Sequence, residues 1–499
     1  MSLVLGLDIG TTSTIGILIR PDGELAGMAS RPVELRCERI GWAEQNPEQW
    51  WSNVCEITGE LLANGIDAGE ISAVGVTGML PAIVLLDAAG NLLRPSIQQS
   101  DARCGAEVEE LRREVDSASF VAKAGNGVNQ QLVAPRLRWL EKHEPEVFRK
   151  IATVFGSYDY INWRLTGRRA IEKNWALEAG FVDVASGTVD PNLIRLAHIP
   201  ATTLPPKSES HEVVGHVCAQ AAADTGLKPG TLVVGGAADL IASALAAGIT
   251  QKGDVLLKFG GSVDILIATD QPVPDPRMYL DYHLVPGLFM PNGCMATGGS
   301  GLNWFVHTFA SGERGDADAV GLSVHEWLDR KAAAVSPGAD ELTVLPYFLG
   351  EKTPVHDPFA RAVFSGLTLA HTMGHLWRAM LEGYAYALAH HVEVLHEIGY
   401  ATTQYFASDG GSKSRIWMQI VADILQAPVQ LLCGHPGSCL GAAWTAAIGA
   451  GLAQDWESIS RFVRKGALIE PDPAKAERYA SGYRVFRSLY RPPFDRDII

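Results

Sequence analysis

The chain opens on an apolar run, Leu3 to Ile9, breaks at Gly10-Thr11-Thr12-Ser13, and resumes as a second apolar run to Ile19. Two such runs around a short turn predict a β-hairpin, here with a turn rich in hydroxyls. The same arrangement returns about half the chain later, where Asp254 to Ala268 (DVLLKFGGSVDILIA) again runs strand, glycine turn, strand. That recurrence predicts two related halves. Short apolar runs at Ala73 to Thr77, Ala82 to Asp87, Leu232 to Gly235 and Gln404 to Ala407 alternate with stretches of helical period at Gln131 to Lys142, Asp239 to Ala247 and Ser414 to Leu425. An Ala/Gly-rich helix from Gly441 to Ile448 follows. The alternation predicts sheets flanked by helices, an α/β protein. At 499 residues the chain exceeds what one hydrophobic core organises, so two domains are expected, residues 1–248 and 249–499.

The formal charge of −15 comes without any Lys/Arg cluster long enough to track phosphates, which sets aside nucleic acids and anionic membranes as partners. Met1 to Gly10 lacks a basic leader and carries Asp8, and no later run is long enough to span a bilayer, so a cytoplasmic location is expected. The seven cysteines include no Cys-x-x-Cys pair, which argues against a disulfide framework or a zinc site. They read as small buried hydrophobes.

In Leu7-Asp8-Ile9-Gly10-Thr11-Thr12-Ser13 a carboxylate ends a strand, a glycine permits a tight turn, and N–H groups and hydroxyls then face outward. This is either a phosphate-holding hairpin or an ordinary one with Asp8 as turn former. Gly260-Gly261-Ser262 either supplies a second cradle from the other half or is a glycine bulge. Asp409-Gly410-Gly411-Ser412-Lys413-Ser414 follows a strand and opens a helix, so that a flat ring can approach the backbone and helix N–H groups can face a phosphate. Otherwise Ser412 or Ser414 is simply a helix N-cap. Gly235-Gly236-Ala237-Ala238-Asp239 places a carboxylate at the start of an apolar helix near the junction of the halves. Asp239 is the candidate general base or a plain helix N-cap, and both readings can hold, because the helix dipole is expected to keep the carboxylate ionised.

Taken together these motifs resemble the FGGY family of carbohydrate kinases. Gly41-Trp42-Ala43-Glu44-Gln45-Asn46-Pro47-Glu48-Gln49-Trp50-Trp51 is similar to that family's Gly-Trp-x-Glu-x-x-Pro-x-x-Trp-Trp segment. Further matches in order are Pro135-Arg136-Leu137, Asp159-Tyr160 with Arg164-Leu165-Thr166-Gly167, Leu345-Pro346-Tyr347, Gly350-Glu351-Lys352-Thr353-Pro354 and Gly441-Ala442-Ala443. The resemblance implies two actin-like (ribonuclease H-like) ATPase domains around a central cleft, with the sugar held mainly by the first and MgATP by the second. It implies Asp8 as the Mg2+ ligand, with Gly10, Thr11, Thr12 and Ser13 as one phosphate loop and Gly260, Gly261 and Ser262 as the other. Gly410, Gly411, Ser412 and Ser414 correspond to the adenosine loop, Gly299 and Asn303 to a segment lining the nucleotide, and Asp239 to the catalytic base. Partners are then ATP and a small sugar or polyol, with a homodimer left open.

Departures from the family pattern fall on the acceptor side. Pentulose kinases carry Ser-Gly-Gln-Met-His-Gly where this chain reads Thr77-Gly78-Met79-Leu80-Pro81-Ala82, so an amide and an imidazole are missing. Gln98, Gln99 and Ser100 are placed to compensate, and the following Asp101 and Arg103 keep the acid and base of the family's Trp-Asn-Asp-x-Arg. Met79, Leu80, Gln99, Asp101, Arg103 and Asp239 are therefore the expected sugar-side residues. Gly261 stands where the family has Thr in Gly-Thr-Ser, which predicts weaker use of ATP. The expected acceptor is a ketopentose such as D-xylulose. Other polyols or sugars (erythritol, glycerol, ribulose, a deoxy sugar) remain as alternatives, as does an actin-fold nucleotide binder without sugar transfer.

Overall fold

The structure, a computed structural model, describes residues 2–434 and 437–490. Its first sheet has seven strands. Six of them form a continuous order, with β1 (Leu3–Ile9), β2 (Ser13–Arg20), β3 (Glu24–Pro32), β4 (Ile71–Gly78), β5 (Val213–His216) and β6 (Leu232–Val234) arranged β5-β6-β4-β1-β2-β3. The pair Ala237–Ala238 extends the edge of β4. β1 and β2 are antiparallel, as the hairpin pattern predicts, while β4 and β6 run parallel to β1 and to each other.

The second sheet repeats this plan. Its strands are β7 (Asp254–Phe259), β8 (Val263–Ile267), β9 (Tyr279–Tyr282), β10 (Phe289–Cys294), β11 (Gln404–Ser408), β12 (Val429–Leu432) and β13 (Lys465–Ile469), in the order β9-β10-β8-β7-β11-β12-β13. Again an antiparallel hairpin meets two parallel strands, and an antiparallel strand closes the far edge. Leu3, Val4, Leu5 and Leu7 of β1 are all wholly buried, because helices cover both faces of this central strand. That is why the strand reads as an unbroken apolar run.

Two helices join the halves. Asp239–Ala246 leaves the first sheet and Ser438–Gly449 follows the last parallel strand of the second, yet the latter packs against β1 and β4. The approach is possible only where side chains are absent. A Cβ at Gly6 would lie 2.2 Å from the Cys439 carbonyl oxygen, and one at Gly75 would lie 2.1 Å from that of Ala442. The resulting core mixes Val4 and Ile17 of the first sheet with Leu256 and Phe406 of the second.

One expectation is corrected: Cys37 and Cys433 are exposed and Cys55, Cys218 and Cys294 are half-buried, so only Cys104 and Cys439 are buried small hydrophobes. Among the described residues no helix is long and apolar enough to cross a membrane.

Candidate active site

Both glycine-turn hairpins point into the cleft between the sheets, since each turn lies at the end of a central strand where the parallel strands also terminate. Two cavities open there. One, of about 610 Å³, is lined by Phe259, Leu302, Trp377, Leu381 and Trp417 and by Gly260, Gly261, Gly299, Asn303, Gly410, Gly411, Lys413 and Ser414. An apolar slot with a few polar groups at its rim suits a flat heterocycle. Gly411 is tightly placed, since a Cβ there would come 2.6 Å from the Trp417 ring. Ser414 both lines the slot and caps the helix Arg415–Leu425 by accepting from Trp417 N, so its two readings hold together. Ser412 instead turns inward and donates to the Asp409 carbonyl at 2.8 Å.

The other cavity, of about 340 Å³, is lined from both domains. Thr11, Met79, Leu80, Gln99 and Asp239 come from the first, and Ser262, Asp264, Tyr279, Asp281, Cys294 and Lys352 from the second. Gly260 and Gly261 thus face the first cavity and Ser262 the second, so three consecutive residues form the wall between them.

Asp239 begins its helix and accepts from Leu240 N at 2.6 Å. Burial raises its carboxyl above the ordinary range, partly countered by Lys258. The helix start therefore does not keep this group at its usual value, because desolvation outweighs it. Asp8 ends β1 with Oδ2 accepting from Ser438 Oγ at 2.5 Å, while its buried Oδ1 has no partner. Burial, with Asp239 nearby, pushes the Asp8 carboxyl up to about 7. Lys258, across the β7–β8 ladder from Asp264, is a cation facing Asp8 and Asp239. It lies in an otherwise apolar strand, and only the break it makes in that apolar run marks it in the sequence.

The remaining expected residues support this centre. Gly10 N donates to Ser13 O to close the first turn, Thr12 is exposed, and Gln45 Nε2 donates to Thr11 O at 2.6 Å. Gln45 is in turn fixed by Trp50 Nε1, so the Gly41–Trp51 segment buttresses the turn from behind. Asn303 lines the slot and its Oδ1 meets His325 Nε2 at 2.9 Å. Asp101 and Arg103 line neither cavity. They bind each other through two contacts, Asp101 also accepts from Ala43 N, and the Arg103 guanidinium lies over the Trp42 ring at 3.8 Å. Their polar atoms are thus largely committed to holding the Trp42 segment, away from the cleft.

Two sheets of this plan around a shared cleft, with an apolar slot beside an aspartate-lined cavity, are those of the actin-like ATPase fold. The family models for the N-terminal and C-terminal domains of the FGGY family of carbohydrate kinases match residues 3–246 and 256–450. The chain belongs to that family and is an ATP-dependent carbohydrate kinase that transfers phosphate to a sugar. It is 30% identical to a xylulose kinase of Bacillus subtilis over 98% of this chain and 97% of the relative. It is 27% identical to a gluconokinase of the same organism, over 98% and 96%. The crystal structure of xylulose kinase from Rhodospirillum rubrum superposes with a TM-score of 0.93 at 57% identity, over 98% of both chains.

Proposed function

We propose that the protein phosphorylates a neutral ketopentose, D-xylulose first among candidates, with Asp239 as general base. The observation that carries this reading is the joint lining of one cavity by Thr11, Asp239 and Ser262, which brings both turns and the base to one place. Among the described residues its lining holds Asp239, Asp264, Glu178 and Asp281 and one cation, Lys352. Such a field favours uncharged hydroxyls over the carboxylate of a sugar acid, so the xylulose kinase relatives are a better guide than the gluconokinase.

In the reaction the Asp239 carboxylate accepts a hydrogen bond from the acceptor hydroxyl and takes its proton as the oxygen–phosphorus bond forms. The bond from the γ-phosphorus to the bridging oxygen breaks, and ADP leaves. The Gly10 N–H closes the first turn on Ser13 O, so the N–H groups of Thr11 and Thr12 and of the Gly260–Ser262 turn orient the phosphates, while Gly299, Asn303, Gly410, Gly411 and Ser414 hold the adenosine. Asp8 fits a Mg2+ ion, since its buried, unpartnered Oδ1 and the surplus of carboxylates over Lys258 call for a cation. When bound, the ion neutralises charge on the phosphates. Residues 1–248 and 249–499 are the two domains of this reading, and cleft closure excludes water from the transfer.

A coupled ADP-release assay across ketoses and polyols tests the assignment. D-xylulose is expected to be turned over well and gluconate poorly. Asp239→Ala is expected to lower kcat by roughly 10³-fold or more with ADP affinity retained. Full turnover in that variant refutes the base.

A further inference from the structure

One pair of residues in the acceptor cavity belongs to no motif. Glu178 ends the short helix Lys173–Glu178 of the first domain, and Asp281 lies on β9 of the second. Both line the cavity that contains Asp239. Asp281 is only 3% exposed. Its Oδ2 accepts from Asn292 Nδ2 at 2.9 Å, and its Oδ1 is buried without a partner. Glu178 and Asp281 are neighbouring acids in this one lining, and two carboxyls side by side disfavour ionising together. Burial raises the Glu178 carboxyl, and burial together with the neighbouring Glu178 raises Asp281. Two carboxyls in one lining offer several oxygen lone pairs to hydroxyl donors and none of the positive charge that a sugar acid's carboxylate calls for.

The position of Asp281 is fixed from both sides. β9 is an edge strand, and its outward backbone groups meet two asparagine side chains of the first domain in place of a neighbouring strand. Asn126 exchanges hydrogen bonds with the N–H and C=O of Leu280 at 2.9 and 3.0 Å, and Asn174 does the same for Tyr282 at 2.7 and 3.0 Å. Asp281, between them, is thereby held against Glu178.

We infer that Glu178 and Asp281 form an interdomain carboxyl pair that binds hydroxyl groups of the acceptor other than the one at Asp239, and so selects neutral polyhydroxy substrates. This rests on the acceptor site proposed above. It also accounts for the apolar Met79 and Leu80: polar recognition comes from other side chains of the same lining.

The test is steady-state kinetics of Glu178→Ala, Asp281→Ala and Glu178→Gln with D-xylulose and ATP. Glu178→Ala and Asp281→Ala are expected to raise the sugar KM about 10- to 100-fold while the ATP KM moves less than about twofold. In Glu178→Gln the amide can donate to Asp281, so its sugar KM is expected to lie at least about fivefold below that of Glu178→Ala. If Asp281→Ala does not fold, Glu178→Ala decides, since Glu178 is only half-buried. An unchanged sugar KM in Glu178→Ala overturns the inference, as does a Glu178→Gln variant no better than Glu178→Ala. A wild-type enzyme that phosphorylates no neutral sugar or polyol refutes the proposed function instead. If erythritol or ribulose replaces D-xylulose as the acceptor, the same variants are read with it.

Discussion

Removing the Asn174 side chain isolates the physical link between the domains at the acceptor site. Asn174 is fully buried and spends both halves of its amide on Tyr282, accepting from its N–H at 2.7 Å and donating to its C=O at 3.0 Å. Asn174→Ala leaves one donor and one acceptor on an edge strand without protein partners. A buried unpaired group costs about 1–3 kcal/mol, and water entering from the cleft recovers part of that for each. A net loss of about 2 kcal/mol at this point accelerates exchange of the Tyr282 amide about 30-fold, at tenfold per 1.4 kcal/mol. Amide hydrogen exchange in the absence of ligand reads this directly. Leu280 serves as an internal reference, because its N–H is held separately by Asn126 at 2.9 Å. Tyr282 should lose protection first and Leu280 less, with Asn126→Ala giving the reverse order. Equal exchange of the Tyr282 amide in wild type and Asn174→Ala would refute the clasp, and with it the argument that Asn126 and Asn174 fix the position of Asp281.

Two further outcomes are expected. Gly261→Thr should raise kcat/KM for ATP about 5- to 10-fold in initial-rate measurements, the worth of one hydrogen bond to a phosphate oxygen. A Cβ at Gly261 meets nothing within 4 Å and the backbone there is not left-handed, so no strain offsets the gain. Glu351 is buried, accepts from Ala296 N and Lys352 N, and has its carboxyl pushed up by burial to about 8. The folded state therefore holds this proton more tightly than the unfolded chain. Its stability contribution is complete below about pH 4.5 and is lost as pH rises to about 8. Glu351→Gln, which still accepts both N–H groups, should match wild type near pH 4.5 and exceed it by about 3–5 kcal/mol near pH 8.5 in denaturant titrations. A difference independent of pH would reject the buried charge.

What the sequence discloses of this protein divides by range. The hairpins at Leu3 and Asp254, the Asp239 helix and the Gly410–Ser414 loop are local patterns, and each forms where its period and turn chemistry place it. The wall between the cavities is also local, since Gly260, Gly261 and Ser262 are consecutive. Glu178, Asp281, Asn126 and Asn174 are different. Each is a lone polar residue in its own segment, given meaning only when β9 of the second sheet docks on the first domain. Lys258 reads as an interruption in an apolar strand until Asp8 and Asp239 are beside it. Asp101 and Arg103 show the converse, because motif order places them near the sugar while their mutual ion pair and Trp42 hold them behind it.

The same division separates the two ends of the reaction site. In the proposed reading, contacts to the nucleotide come from main-chain turns and helix starts, so Gly261 in place of Thr removes one hydroxyl and leaves the backbone N–H groups. In the same reading, contacts to the acceptor come from the side chains of both domains that line one cavity, so each can be exchanged for another that reaches it from a different element. Met79 and Leu80 in the same lining as Glu178 and Asp281 fit such an exchange. Substrate choice in this chain then depends on how β9 is seated as much as on the loop after β4. A change in acceptor should therefore follow from altering Asn126 or Asn174 without touching any residue that lines the cavity.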